Sequence, residues 1–150
     1  MTPFVFEIIG TTILLLLGSG VVANVNLKNT NAENQSKWVL ITSAWGFSVF
    51  VGAYISSSYS GAHLNPAVTI GLAVAGKFSW ALVPYYIFSQ LIGAMIGSWI
   101  NYILYIDHYK ITKDENLVKG TFFTGPSIRN LKNNFLDYGR LISTIVIKDT

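Results

Sequence analysis

Ser60-Gly61-Ala62-His63-Leu64-Asn65-Pro66-Ala67-Val68-Thr69 is a polar turn set between long apolar runs, with no Lys, Arg, Asp or Glu from Trp38 through Gly76. Asn65 followed by Pro66 reads as a helix start. Asn is a favoured N-cap, and Pro at the first helical position gives up an N–H that has no partner there anyway. The Asn65 side-chain oxygen then accepts from the first-turn backbone, which turns its two N–H donors outward toward a passing hydroxyl. Gly61 opens a backbone path closed to other residues, so the carbonyls of Gly61, Ala62 and His63 are free to point along a cavity instead of into a helix. The stretch predicts a ladder of acceptors that ends at a donor.

The surroundings of this turn are those of a membrane protein. Of the 150 residues, 51% are apolar and only 11% charged, against about 25% charged in an average soluble domain. Phe4 to Val25 is long enough to cross a bilayer, which takes about 20 residues. It lacks the basic n-region of a signal peptide, so it reads as a retained helix. Trp38 to Tyr59 is a second span and Phe78 to Ile106 a third. Trp80 and the Tyr85-Tyr86 pair stand toward one interface of the third span, and Tyr102 and Tyr105 toward the other. Between the second and third spans, Pro66 to Ala75 is too short to cross and too apolar to leave. It reads as a half-helix that re-enters from the face where the second span ends, with Lys77 marking the return. Asn24 to Lys37 is a polar connection, and 107–134 a longer polar loop with turn chemistry at Thr124-Gly125-Pro126-Ser127. Phe122 and Phe123 in that loop serve either to anchor it or to dip into the mouth of a pore. The fold class is therefore all-α membrane protein, with three transmembrane helices and one re-entrant half-helix.

Other chemistries find no footing. There is no Cys, hence no disulfide framework and no thiolate metal site. The net charge of +3 is scattered, without the basic stripe that nucleic acid requires. His63 has no second His near it, so packing against the half-helix is the better reading than metal or base. Leu17-Gly18-Ser19-Gly20-Val21-Val22-Ala23 mimics a dinucleotide fingerprint, but no strand precedes it and no acidic residue follows at the right distance; close helix packing accounts for it. Gly93-Ala94-Met95-Ile96-Gly97 is a second small-residue face, for contact within the fold or between subunits. No nucleophile, base and orienting group come together, so the chain reads as no enzyme and needs no cofactor.

Ser60 to Thr69 resembles the first Asn-Pro-Ala loop of the aquaporin and glycerol-facilitator (major intrinsic protein) channels, with Asn65, Pro66 and Ala67 as the triplet. The resemblance implies a passive channel for glycerol, other small neutral polyols and water, in the cell membrane as a multi-pass protein, tetrameric with one pore per subunit. It implies that Gly61, Ala62, His63, Leu64 and Asn65 line the pore. Glu7, a carboxylate in the first span whose alternative is simply to reach the headgroups, is implied to brace the loop, with Gln90 supporting it. Trp45 by position alone packs against lipid or a neighbouring helix; the resemblance implies that it sits where the family's narrow aromatic wall lies, and with Leu64 after His63 it points to the polyol branch, with a water-selective aquaporin as the alternative. In aquaporin-type pores the positive ends of half-helix dipoles repel protons and cations, and the helix starting at Pro66 is expected to contribute that effect here.

The resemblance covers residues 1–136, the first of the family's two inverted repeats. After Leu136 the family would begin a fourth long helix; here the apolar run Leu141 to Ile147 is too short to span, so 137–150 reads as a short divergent tail. A truncated form is expected on this reading, and its alternative is a non-conducting membrane fragment left by a frameshift or early stop. The resemblance implies that the N-terminus and the half-helix entrance are cytoplasmic. Most Lys and Arg lie in the opposite loops, against the positive-inside tendency, and the motif is the more specific of the two signals.

Overall fold

A computed structural model of the chain describes residues 3–33 and 37–123. Helix α1 spans Pro3–Asn26 and α2 Lys37–Ser60; the short α3 spans Pro66–Val74; a single 3-10 turn at Trp80–Leu82 leads into α4, Val83–Leu104. Three of these segments, Pro3–Asn26, Lys37–Ser60 and Trp80–Leu104, are long and apolar enough to cross a membrane. The stretch beginning at Asp107 is more structured than a polar loop. It holds α5, Ile106–Ile111, and α6, Glu115–Gly120. The tail from 137 lies outside the described residues.

Helix α1 is the centre, with α2 and α4 both packed against it and α3 lying on α4. What lets the helices meet is the absence of side chains at the crossings. A Cβ on Gly93 would stand 2.5 Å from the Ile8 carbonyl oxygen, one on Gly97 2.5 Å from that of Thr12, and one on Gly52 2.8 Å from that of Gly10. The Gly93/Gly97 face is thus spent inside the fold, against α1. At these close approaches hydroxyls bridge the backbones: Thr12 Oγ1 donates to the Gly93 carbonyl at 3.1 Å and Ser56 Oγ to the Phe6 carbonyl at 3.0 Å. Small and polar residues therefore line the contacts, while Phe47, Phe50, Tyr54, Phe88, Met95 and Trp99 are exposed. This inversion of the soluble pattern is expected where the solvent is lipid and close packing, not water exclusion, holds helices together.

Gly93→Ala and Gly97→Ala are each expected to destabilise the fold by about 1–3 kcal/mol, the usual cost of overpacking. Gly71→Ala, whose new methyl would meet nothing within 4 Å, is expected to gain about 0.5–1 kcal/mol from helix propensity. Thermal unfolding in detergent separates the two; equal shifts would refute the close-approach account.

At the end of the bundle where α1 finishes and α5 and α6 follow α4, these short helices fold back over α1. Ala23, Leu27 and Tyr109 are buried together, with Tyr105 and Val118 packed on them. Lys28 N–H donates to Thr112 Oγ1 at 3.0 Å, and His108 Nδ1–H donates to the Lys28 carbonyl at 2.8 Å. The Tyr109 and Thr121 hydroxyls are hydrogen-bonded at 2.9 Å, and burial pushes the Tyr109 phenol up from its ordinary value. Phe122 stacks on Tyr109 with ring centroids 5.7 Å apart, so it anchors this cap.

Candidate functional site

The loop between α2 and α3 takes a path that few residues tolerate. Gly61, Ala62 and Leu64 have φ of +81°, +52° and +52°. For Ala62 and Leu64 that conformation costs roughly 1–2 kcal/mol each, so something must hold them. The holder is Glu7, which is fully buried. Its Oε1 accepts from His63 N–H at 2.9 Å and from Ser60 Oγ at 2.7 Å; its Oε2 accepts from Leu64 N–H at 2.8 Å and from Gln90 Nε2 at 2.8 Å. Ser60 Oγ also accepts from Ala62 N–H at 3.1 Å. Successive loop N–H groups are thereby consumed on the scaffold side. None of the carbonyls of Gly61, Ala62, His63 and Leu64 accepts a hydrogen bond from the described residues.

Asn65 caps α3 as its sequence suggests. Its Oδ1 accepts from Ala67 N–H at 2.8 Å, with Pro66 as the first helical residue. With Oδ1 so engaged, the amide nitrogen of this exposed side chain has no partner among the described residues. The N-terminus of α3 stands at half the height of the bundle. Asn65 and Pro66 line one open-sided cavity of about 490 Å³ with Leu14, Val49 and Ala94, each near the middle of its own long helix. At the two ends of the loop and α3, His63 packs edge-on against Phe78, 4.6 Å between centroids, and Phe78 against Tyr86 at 4.7 Å.

Trp45, Ala62, His63, Leu64 and Asn65 line this cavity together, and so does Gln90. Gly61 is exposed and is not part of the lining. Ala67 is exposed and contributes its N–H to the cap. Leu64 is buried in the notch that Gly10 and Gly52 leave between α1 and α2. His63 is also buried, its Nδ1 3.1 Å from Thr69 Oγ1. Gln90 Nε2 donates to Glu7 and, at 2.9 Å, to Thr69 Oγ1, so this one amide joins α4 to both α1 and α3.

Two residues escape a reading of the sequence. Thr69 is fully buried and connects His63, Gln90 and the Asn65 carbonyl. Its only signal is a hydroxyl at the i+4 position from the cap. Tyr86, read as an interface residue, is 4% exposed and donates to the Ser60 carbonyl at 2.8 Å, whereas its neighbour Tyr85 is 61% exposed. Adjacent residues on a helix point about 100° apart, so only one of the pair can reach lipid.

Residues 1–134 match the family model described as major intrinsic protein. This chain belongs to that family. It is an integral membrane protein on the same ground, its three long apolar helices fitting a multi-pass arrangement. Among curated relatives of the family it is 45% identical over 147 residues to a probable glycerol uptake facilitator protein of Thermotoga maritima, covering 98% of this chain and 62% of that protein. It is 48% identical to glycerol uptake facilitator protein 3 of Lactiplantibacillus plantarum, covering 94% and 58%, and 46% identical to the glycerol uptake facilitator protein of Bacillus subtilis, covering 98% and 53%. The chain thus spans a little over half the length of these three relatives. Among solved structures it is similar to the aquaglyceroporin from Plasmodium falciparum, with a TM-score of 0.66 and 38% identity over 71% of this chain and 43% of that one.

Proposed function

We propose that this chain forms one half of the wall of a passive channel for glycerol, other small neutral polyols and water. The observation that carries the reading is the pairing of the 62–64 segment, whose carbonyls have no partner among the described residues, with the amide donors of Asn65 in one cavity beside Trp45. A polyol needs a donor and an acceptor for each hydroxyl and an apolar surface for its carbon backbone, and this cavity offers both. The α3 N-terminus carries a partial positive charge of about half a unit, which a neutral solute tolerates and a cation does not. The half-helix re-enters the bilayer on this reading, because unpaired backbone at membrane depth is tolerated only along a cavity or within protein. Glu7 and Gln90 act as the scaffold of the loop. The names of the relatives support the solute class, and the tetramer implied by the resemblance is part of the same proposal.

The test is stopped-flow light scattering of liposomes under a glycerol gradient. They carry the chain alone or the chain with the part of the Thermotoga maritima relative that the match leaves uncovered. Glycerol is expected to equilibrate faster than in protein-free liposomes in at least one preparation, without ionic current. Protein-free rates in both would refute the reading.

A further inference from the structure

Gly18 lies buried on α1, in the small-residue run that close helix packing was invoked to explain. A Cβ built there would stand 2.5 Å from Cε3 and Cζ3 of Trp45 and 2.9 Å from its Cδ2. The indole therefore rests directly on the α1 backbone, and it also lines the cavity that holds Asn65. We propose that Gly18 is a positioning residue for Trp45, setting how far the indole stands into the cavity and so the size of solute that passes. The inference rests on the channel reading and deepens it.

Carbon atoms pack at about 3.5–4.0 Å, so a methyl at position 18 must displace the ring by about 1 Å or more. The helices cannot part freely to absorb this. α1 and α2 are locked about two to three turns away, where Gly10 and Gly52 approach backbone to backbone and Ser56 Oγ donates to the Phe6 carbonyl at 3.0 Å. A ring is rigid, so it must yield as a unit, and the open space beside it is the cavity. Gly20 is the control on the same helix: a Cβ there meets only Asn101, at 3.6 Å, an ordinary contact.

The experiment compares glycerol with water permeability in whichever liposome preparation conducts. Gly18→Ala is expected to lower the glycerol-to-water ratio by about tenfold, the scale of one methyl group in a fitted site, and to lower permeability to a four-carbon polyol further. Gly20→Ala keeps the wild-type ratio. Adding Trp45→Phe to Gly18→Ala removes the ring that the methyl strikes and is expected to restore the ratio, which a merely misfolded variant would not do. An unchanged ratio in Gly18→Ala, or a lowered one that Trp45→Phe does not rescue, overturns the role of Gly18 while leaving the channel standing. A wild type that conducts neither solute overturns the channel reading and this inference with it.

Discussion

Glu7→Gln is expected to unseat the loop and abolish glycerol flux, although the two side chains are nearly the same size. Both carboxylate oxygens are pure acceptors, and each takes two donors. A glutamine has one oxygen and one NH2, so either way round an N–H group faces two N–H or O–H groups. One orientation sets it against His63 N–H and Ser60 Oγ, the other against Leu64 N–H and Gln90 Nε2. Each buried donor left without an acceptor costs about 1–3 kcal/mol. The first orientation is the cheaper, because the Ser60 hydroxyl has a second acceptor in the Ser56 carbonyl at 3.3 Å. The net loss is expected to be about 2–4 kcal/mol. It falls on a segment whose Ala62 and Leu64 already sit at unfavourable φ, so the loop gives way before the helices do. Detergent melts should show a lowered Tm with little change in helix content, and flux at the protein-free rate. Wild-type melting and flux in Glu7→Gln would mean that some other contact holds the loop.

Asn65→Asp separates capping from conduction. The aspartate keeps an acceptor for Ala67 N–H, so α3 and the overall stability are expected to survive. What disappears is the pair of donors turned to the cavity, and what arrives is a negative charge at the positive end of the α3 dipole. On the proposed reading, losing a donor to the permeant hydroxyl costs about 1–3 kcal/mol, so glycerol permeability is expected to fall about ten- to a hundredfold. Cation leak, measured as current across a planar bilayer, is expected to rise. Asn65→Ala is the complement, losing the cap at a cost of about 1 kcal/mol without gaining the charge. If Asn65→Asp conducts glycerol as the wild type does and stays tight to cations, the donor role of Asn65 is refuted.

Much of this was legible in the residues. The Asn65-Pro66 start, the Gly61 break and the presence of three long apolar helices follow from local rules about caps, φ and apolar runs, and the structure agrees on each. The destination of Glu7 was not legible from its position. A carboxylate near the start of a helix reaches a headgroup as easily as a buried loop, and only the family resemblance leaned toward burial. Whether the Gly93/Gly97 face met a helix of its own fold or of another subunit was likewise open, because a missing side chain records that something comes close and not what. The structure answers with α1. Tyr86 and Thr69 were missed because an aromatic near a helix end and a threonine in a first turn have common local explanations that need no tertiary partner.

The sequence by itself determined where the chain can be helical, where it cannot, and that it belongs in a bilayer, since those depend on backbone freedom and on residues near one another along the chain. Only the tertiary structure decided that one buried carboxylate would hold the loop N–H groups and leave the carbonyls beside Asn65 without a partner among the described residues. The physical reason is that Glu7 meets groups 53 to 83 positions away, and a hydrogen bond across that separation is set by how helices pack, which no local pattern encodes.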